Sequence, residues 1–291
     1  MRVLVLTLAL LLAACSSGPT IDDSLTARGQ SSRVQYIVVH YTSTGNSCRS
    51  ILGEATFNHL APAGWKAMSA GSQPTGQVHP RSLALLTQTD VSSHYLIGDN
   101  PPTIYRLVDE NRRAWHAGVS EWQGRTWLNA STLGIELVNQ GYFDGPQGRY
   151  WQPYNPAQID ALIVLLKDLV KRHDLPIDSI IGHSDIAPQR KVDPGPLFPW
   201  KRLADAGLIR WPDAAAVTRE QMKFAQSLPT PLWFQEQLAR LGYPIEQSGV
   251  LDEATRKVLA AFQMKYRQAR YDGEPDAESA AILLVLNGSQ G

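Results

Sequence analysis

The chain has 291 residues, 43% apolar and 19% charged, with 27 lysines and arginines against 27 aspartates and glutamates. That length holds one large domain with a real core and a smaller one beside it. Balanced charge excludes the electrostatic footprint of a nucleic-acid binder or a polybasic membrane protein, and suits a neutral polymer or a small polar substrate.

The opening stretch MRVLVLTLALLLAAC sets one arginine before an apolar run from Val3 to Leu12, too short for a comfortable transmembrane helix and matched to a signal peptide. Leu12-Ala13-Ala14-Cys15 looks like a bacterial lipobox, in which cleavage leaves Cys15 as a lipidated amino terminus. By likeness to lipoproteins in general, Ser16 after it implies export to the outer membrane, so the expected location is the periplasmic face of that membrane in a Gram-negative bacterium. Only Cys48 remains, so no intramolecular disulfide framework is available, and a lone thiol in a Ser/Gly-rich stretch reads as incidental. Residues 16–32 are polar and read as a tether.

Folded structure is expected from Arg33. VQYIVVHYT is a β-branched and aromatic run, the pattern of a strand covered on both faces, and it delivers His40 at its carboxyl end, where α/β sheets place chemistry. Residues 45–89 turn to Gly, Ala, Ser, Pro and Gln and read as an inserted, partly mobile segment. Its His59 and His79 lack a rigid carrier and stay outside the expected site. SSHYLIG and TIYRLV read as two strands joined by the turn-forming DNPP. STLGIELVN is a further strand with an anomaly: Glu136 interrupts its apolar run, and a carboxylate there costs free energy unless it is paired, hydrogen-bonded or protonated. An edge strand turning Glu136 to water is the structural alternative.

Asn155 as N-cap and Pro156 as first helical residue open an amphipathic helix with apolar residues at Ile159, Leu162, Ile163, Leu166, Leu169 and Val170. LPIDSIIGH then supplies a short strand ending at His183. IGHSDIAPQRKVDPGPLFPW follows on from it, its prolines stiffening a run that holds His183, Asp185, Lys191 and Asp193. Residues 212–229 lose periodicity and read as a linker. Three short helices are expected over 230–287, a small bundle without clustered ionisable residues, suited to binding rather than reaction.

Catalytic zinc takes about three protein ligands, usually imidazoles and a carboxylate, and keeps a position for water. His40, His183 and Asp193 can supply that set, although a strand-end histidine is more often structural and the spacing differs from the helical HExxH pattern. Glu136 is the candidate proton carrier, and Lys191 the candidate cation facing a developing oxyanion, against its ordinary reading as a solvated loop lysine. No GxSxG elbow supports serine chemistry.

The blocks IVVHYTS, SSHYLI, AWHAG, NASTLGIELVNQG and GHSDIAPQRKVDPGPLFPW together resemble the type-2 N-acetylmuramoyl-L-alanine amidases over residues 33–212 apart from the insertion. LARLGY and TRKVLAAFQ are similar to the peptidoglycan-binding domain carried by such proteins. The resemblance implies an α/β fold with a mixed central sheet flanked by helices, followed by a small three-helix domain. It also implies one zinc ion on His40, His183 and Asp193, with a catalytic Glu136 and a supporting Lys191. The bond implied is the amide between N-acetylmuramic acid, or its anhydro form, and the first L-alanine of the stem peptide. Trp115, His116 and Asn129 stand in family blocks and are assigned to the glycopeptide cleft. The insertion departs from compact members and is expected to form a lid or partner-binding flap. Expected partners are peptidoglycan and muropeptides, with a membrane held through the lipid on Cys15 and no nucleic acid; the chain is expected to act as a monomer. Two other readings stand beside the amidase: a non-catalytic peptidoglycan-recognition lipoprotein, which the complete ligand and base set disfavours, and a zinc peptidase cutting within the stem, which lacks motif support.

Overall fold

Residues 32–43, 80–146 and 148–288 are described by a computed structural model of the chain; the signal peptide with Cys15, the tether up to residue 31, and residues 45–79 of the expected insertion with Cys48, His59 and His79, lie outside the described residues. The strands in chain order are β1 (Tyr36–Tyr41), β2 (Tyr95–Ile97), β3 (Ile104–Arg106), β4 (Glu121–Trp122), β5 (Arg125–Thr126), β6 (Thr132–Leu137), β7 (Tyr142–Gly145), β8 (Gly148–Trp151) and β9 (Ile180–Gly182). Five of them form a central sheet in the order β3-β2-β6-β1-β9, while β4-β5 and β7-β8 are separate two-stranded ribbons. The sheet is mixed: β2, β6, β1 and β9 run parallel, and β3 closes one edge antiparallel. The expected architecture is therefore present.

The helices are α1 (Pro80–Gln88), α2 (Pro156–His173), α3 (His183–Ile186), α4 (Trp200–Asp205), α5 (Ala214–Phe224), α6 (Pro231–Leu241), α7 (Glu253–Tyr266) and α8 (Ala277–Gly288). Asn155 caps α2, its side chain accepting from the Ala157 N–H at 3.0 Å while its amide donates to the Asp99 carbonyl at 2.9 Å. Ile159, Leu162, Leu166 and Leu169 of α2 bury against Val39, Ile97, Ile135 and Leu137. Gln158, buried on the same helix, donates to the carbonyls of Ile97 and Val138, both at 3.1 Å, and so ties α2 to two strand ends.

Strand alternation sorts the chemistry from the packing. Ile37 and Val39 of β1, with Leu133, Ile135 and Leu137 of β6, point to the α2 side. The intervening positions, Val38 and His40 on β1 and Thr132, Gly134 and Glu136 on β6, lie on the other face. Val38 there joins Ala117, Trp122, Leu128, Ile181 and Ile186 in one core with Phe234, Leu238, Leu259, Phe262 and Leu283 of the carboxyl-terminal helices. The described residues form one compact unit.

Two expectations change. The segment 212–229, read as a linker, contains α5, started by Asp213, whose side chain accepts from the Ala216 N–H at 2.8 Å. No α5 side chain is fully buried; only Val217 and Phe224, seven residues apart, pack half-buried on the carboxyl-terminal core, so its apolar face is thin among the alanines and polar residues around it. The end of the segment read as an insertion is also helical: α1 buries Leu86 against Leu96, with Leu83 packed beside them.

Candidate metal centre and active site

His40 and Glu136 are direct partners in the register of β1 and β6, and Val39 pairs with Gly182, so His183 emerges from β9 beside His40. The loop after α3 returns Asp193 to the same place. It is pinned by the Asp193 carbonyl accepting from the Ser184 N–H at 2.8 Å and by the Tyr154 hydroxyl donating to the Pro194 carbonyl at 2.8 Å. Gly182 has no room for a side chain: a Cβ there would lie 2.8 Å from Pro194 Cδ.

Three donor atoms converge. His40 Nδ1 lies 2.9 Å from His183 Nδ1 and 3.2 Å from Asp193 Oδ2, and His183 Nδ1 lies 3.1 Å from Asp193 Oδ2. All three residues are buried, and no other such group of metal-capable side chains occurs among the described residues.

The surrounding hydrogen bonds decide where the imidazole protons sit. The Thr132 hydroxyl donates to the Leu128 carbonyl at 2.7 Å, so its oxygen accepts from His116 Nε2 at 3.2 Å. His116 Nδ1 is then bare and accepts from His40 Nε2 at 3.0 Å, which leaves His40 Nδ1 with a free lone pair. On the other side, His183 Nε2 donates to the Ala117 carbonyl at 3.2 Å and leaves its Nδ1 bare as well. Arg190 Nη2 also lies 3.4 Å from His183 Nε2, the weaker contact, because Nη2 donates to the Ala117 and Val119 carbonyls.

Burial holds the His40 imidazole down to about 4, reinforced by His183, and burial pushes His116 well below the ordinary histidine range. Burial would raise the Asp193 carboxyl, but His183 and His40 hold it well below the usual carboxylate range. The hydrogen bonds at the backs of the two rings thus turn two imidazole nitrogens toward each other and toward a carboxylate oxygen. Such a set repels itself unless a cation lies at its centre, and donors on one tetrahedral zinc sit roughly 3.3 Å apart. The residues fit a metal ion.

Glu136 stands next to this group. Burial, then the negative charge of Asp193, pushes its carboxyl up to about 8, with Lys191 opposing. Its Oε2 is buried with no hydrogen-bond partner among the described residues. A groove of about 720 Å³ lies between the 115–129 and 186–190 loops, with Trp115, Trp127, Asn129 and Arg190 in its wall; His40, Glu136, His183 and Asp193 are not among its lining residues. Val119 and Trp127 on its rim are 89% and 80% exposed, a large apolar investment on a solvated surface.

The N-acetylmuramoyl-L-alanine amidase family model matches residues 30–196. The chain belongs to the N-acetylmuramoyl-L-alanine amidase family. Residues 229–283 match a second family, described as peptidoglycan binding domains. The amidase chain is 37% identical to N-acetylmuramoyl-L-alanine amidase AmiD of Escherichia coli over 293 residues, covering 96% of this chain and 94% of that one. The solved complex of E. coli AmiD with anhydro-N-acetylmuramic acid-L-Ala-D-gamma-Glu-L-Lys superposes with a TM-score of 0.74 at 36% identity, over 94% of this chain and 96% of that. AmpDh3 of Pseudomonas aeruginosa, solved with an anhydromuramic pentapeptide, gives a TM-score of 0.75 at 34% identity, over 93% and 98% of the two chains.

Of the residues singled out in this amidase sequence, His40, His183, Asp193 and Glu136 are brought together, and Lys191 is close enough for its charge to act on Glu136 and His40. Trp115 and Asn129 line the groove. His116, assigned to the cleft, is instead buried behind His40. Asn129 spends its Oδ1 on the N–H groups of His116 and Ala117, at 3.0 and 2.8 Å, shaping the loop rather than offering that oxygen to a ligand. Thr132 was missed. Its signal was Gly134, an isolated glycine in a bulky strand, which marks a close approach: a Cβ there would lie 2.5 Å from the His116 ring.

Proposed function

We propose that this chain is a zinc-dependent amidase that cleaves the bond between N-acetylmuramic acid, or its anhydro form, and the L-alanine of the stem peptide. We further propose that it does so in cell-wall turnover, from a lipid anchor on Cys15 at the periplasmic face of the outer membrane. The observation that carries the activity is the convergence of the Nδ1 atoms of His40 and His183 and the Asp193 carboxylate beside a buried Glu136. Family membership and the muropeptide complexes of two relatives, matched over nearly the whole of each solved chain, support the bond. The lipobox at Leu12–Cys15 supports the anchor.

His40, His183 and Asp193 would hold the ion, which when bound supplies Lewis acidity toward water and the scissile carbonyl. Glu136 takes one proton from the attacking water as the water oxygen bonds to the amide carbon. It returns that proton to the alanine nitrogen as the C–N bond breaks, giving a lactyl carboxylic acid and a peptide amine; the acid's remaining proton then passes to the amine, so a carboxylate and an ammonium group leave. Lys191 balances the charge that gathers on the carbonyl oxygen. Without metal, burial and Asp193 hold the Glu136 carboxyl up at about 8; a cation on His40, His183 and Asp193 would lower it toward the ionised form that can take the proton. The groove walled by Trp115 and Trp127 offers apolar faces against which a sugar ring or the stem peptide can lie.

The test is mass spectrometry of products from purified sacculi and a defined anhydromuropeptide, with and without a zinc chelator. Free stem peptide beginning at L-alanine, released only without chelator, is expected. Chain that sediments with sacculi yet releases nothing after zinc is added would replace the amidase reading with the recognition-module reading.

A further inference from the structure

The loop bearing two of the three metal donors is gripped by the carboxyl-terminal helices. Asp185, two residues after His183 on the single turn α3, is 1% exposed and fully engaged. Its Oδ2 accepts from the Gly182 N–H at 2.8 Å and from the Lys265 ammonium at 2.9 Å, and its Oδ1 accepts from the Tyr243 hydroxyl at 2.8 Å. Lys265 belongs to α7, and Tyr243 follows α6 by two residues.

The same ammonium lies 4.4 Å from the centre of the Trp200 ring. Trp200 ends the loop and packs on Gly182, where a Cβ would come within 3.3 Å of the ring. Lys265 thus touches the beginning and the end of the stretch 183–200, whose middle carries Asp193. Two more bonds fasten that stretch: Gln189 donates to the Ala254 carbonyl at 3.0 Å, and Gln268 donates to the Phe198 carbonyl at 2.6 Å.

A buried ion pair is a poor source of stability, because desolvating both charges offsets their attraction and an apolar pair of similar volume often does as well. It does fix one geometry, since each carboxylate oxygen is taken by a donor that fits only there. His183 moves with Asp185 because α3 is a single turn. Groups that orient metal ligands typically change metal affinity by about 10- to 100-fold when removed.

We propose that Lys265, assisted by Tyr243, is a positioning residue of the metal centre: the carboxyl-terminal helices hold α3 through Asp185 so that His183 Nδ1 and Asp193 Oδ2 meet His40 Nδ1. The proposal rests on the reading of His40, His183 and Asp193 as metal ligands. It makes the segment matched to peptidoglycan binding domains a working part of the amidase centre, rather than only a means of holding the enzyme on the wall.

The experiment measures zinc affinity of the purified full chain by competition with a chromophoric chelator. It compares wild type with Lys265→Met, with Asp185→Asn/Lys265→Met, which leaves no unpaired buried charge, and with Tyr243→Phe, which removes a single hydroxyl. The expected result is a zinc Kd raised about 10- to 100-fold in both Lys265 variants and several-fold in Tyr243→Phe, with folding and sedimentation with sacculi as in wild type. At saturating zinc, kcat on a soluble muropeptide falls while KM holds. Where Lys265→Met does not fold, the double variant and Tyr243→Phe decide. Wild-type zinc affinity in the folded double variant overturns the proposal and leaves the pair as interface packing. Failure of wild type itself to bind zinc overturns the proposal and the ligand reading together.

Discussion

Glu136 carries a carboxylate that the fold makes expensive, since its carboxyl is raised from the ordinary range to about 8 by burial and by Asp193. Between its unfolded value and about 8 the metal-free folded chain keeps a proton that the unfolded chain has lost, so this group makes stability fall as pH rises through that window. Glu136→Gln removes the dependence. The metal-free variant is expected to gain about 4 kcal/mol over wild type near pH 8 and less than about 1 kcal/mol near pH 5, read from urea midpoints at the two values. Its amidase rate should fall by about 100-fold or more with zinc binding retained. A variant with wild-type turnover would remove Glu136 from the mechanism. Thr132 tests the proton arrangement behind His40. Thr132→Val leaves His116 Nε2 without an acceptor and frees the His40 proton to occupy the metal-facing nitrogen. Zinc affinity is expected to drop about 10-fold, with a changed His40 tautomer in the ¹⁵N spectrum of the metal-free protein. Unchanged affinity and spectrum would mean that Thr132 is packing alone. The threonine could not be recognised from sequence, because its role depends on which carbonyl its own hydroxyl satisfies. Glu136 could be recognised, because an ionisable group inside an apolar strand is anomalous before any fold is known.

At the scale of elements, β1, β6, β9 and α2 were legible because each carries its own period and stop signals. α2 is the clearest: Asn155, Pro156 and the apolar stripe agree with one another. Asn155→Ala is expected to cost about 1 kcal/mol of stability, seen as a lower melting temperature, with zinc affinity and turnover unaffected. A loss of zinc affinity would contradict the separation of the α2 side of the sheet from the reactive side. Helix α5 was not legible, since its apolar face rests on Val217 and Phe224 alone, both half-buried and set among alanines and polar residues. The loop 181–200 was legible as stiff from its prolines. The fastening of that loop by Lys265, Gln189 and Gln268 was not, because each partner comes from more than sixty residues away.

Across the whole molecule, the sheet face that carries the site also carries Val38, Ile181 and Ile186, and the carboxyl-terminal helices cover them. A chain ending at Pro229 would expose that apolar surface and strand Asp185 without Lys265 and Tyr243. It is expected to aggregate or to melt without cooperativity, measured by size-exclusion chromatography and thermal unfolding. A soluble monomer that melts cooperatively with wild-type zinc affinity would show that the amidase segment stands alone. This contrasts with the sequence, where the composition change after Trp211 suggests a tethered module. Local signals determined the strands, the main helix, the two histidines at strand ends and the misplaced carboxylate, because periodicity and caps act within a few residues. Only the tertiary structure decided the direction of the imidazole protons, the burial of His116 and the partners of Asp185. Those depend on atoms that meet across the sheet and across the two halves of the chain, and no local pattern encodes such meetings.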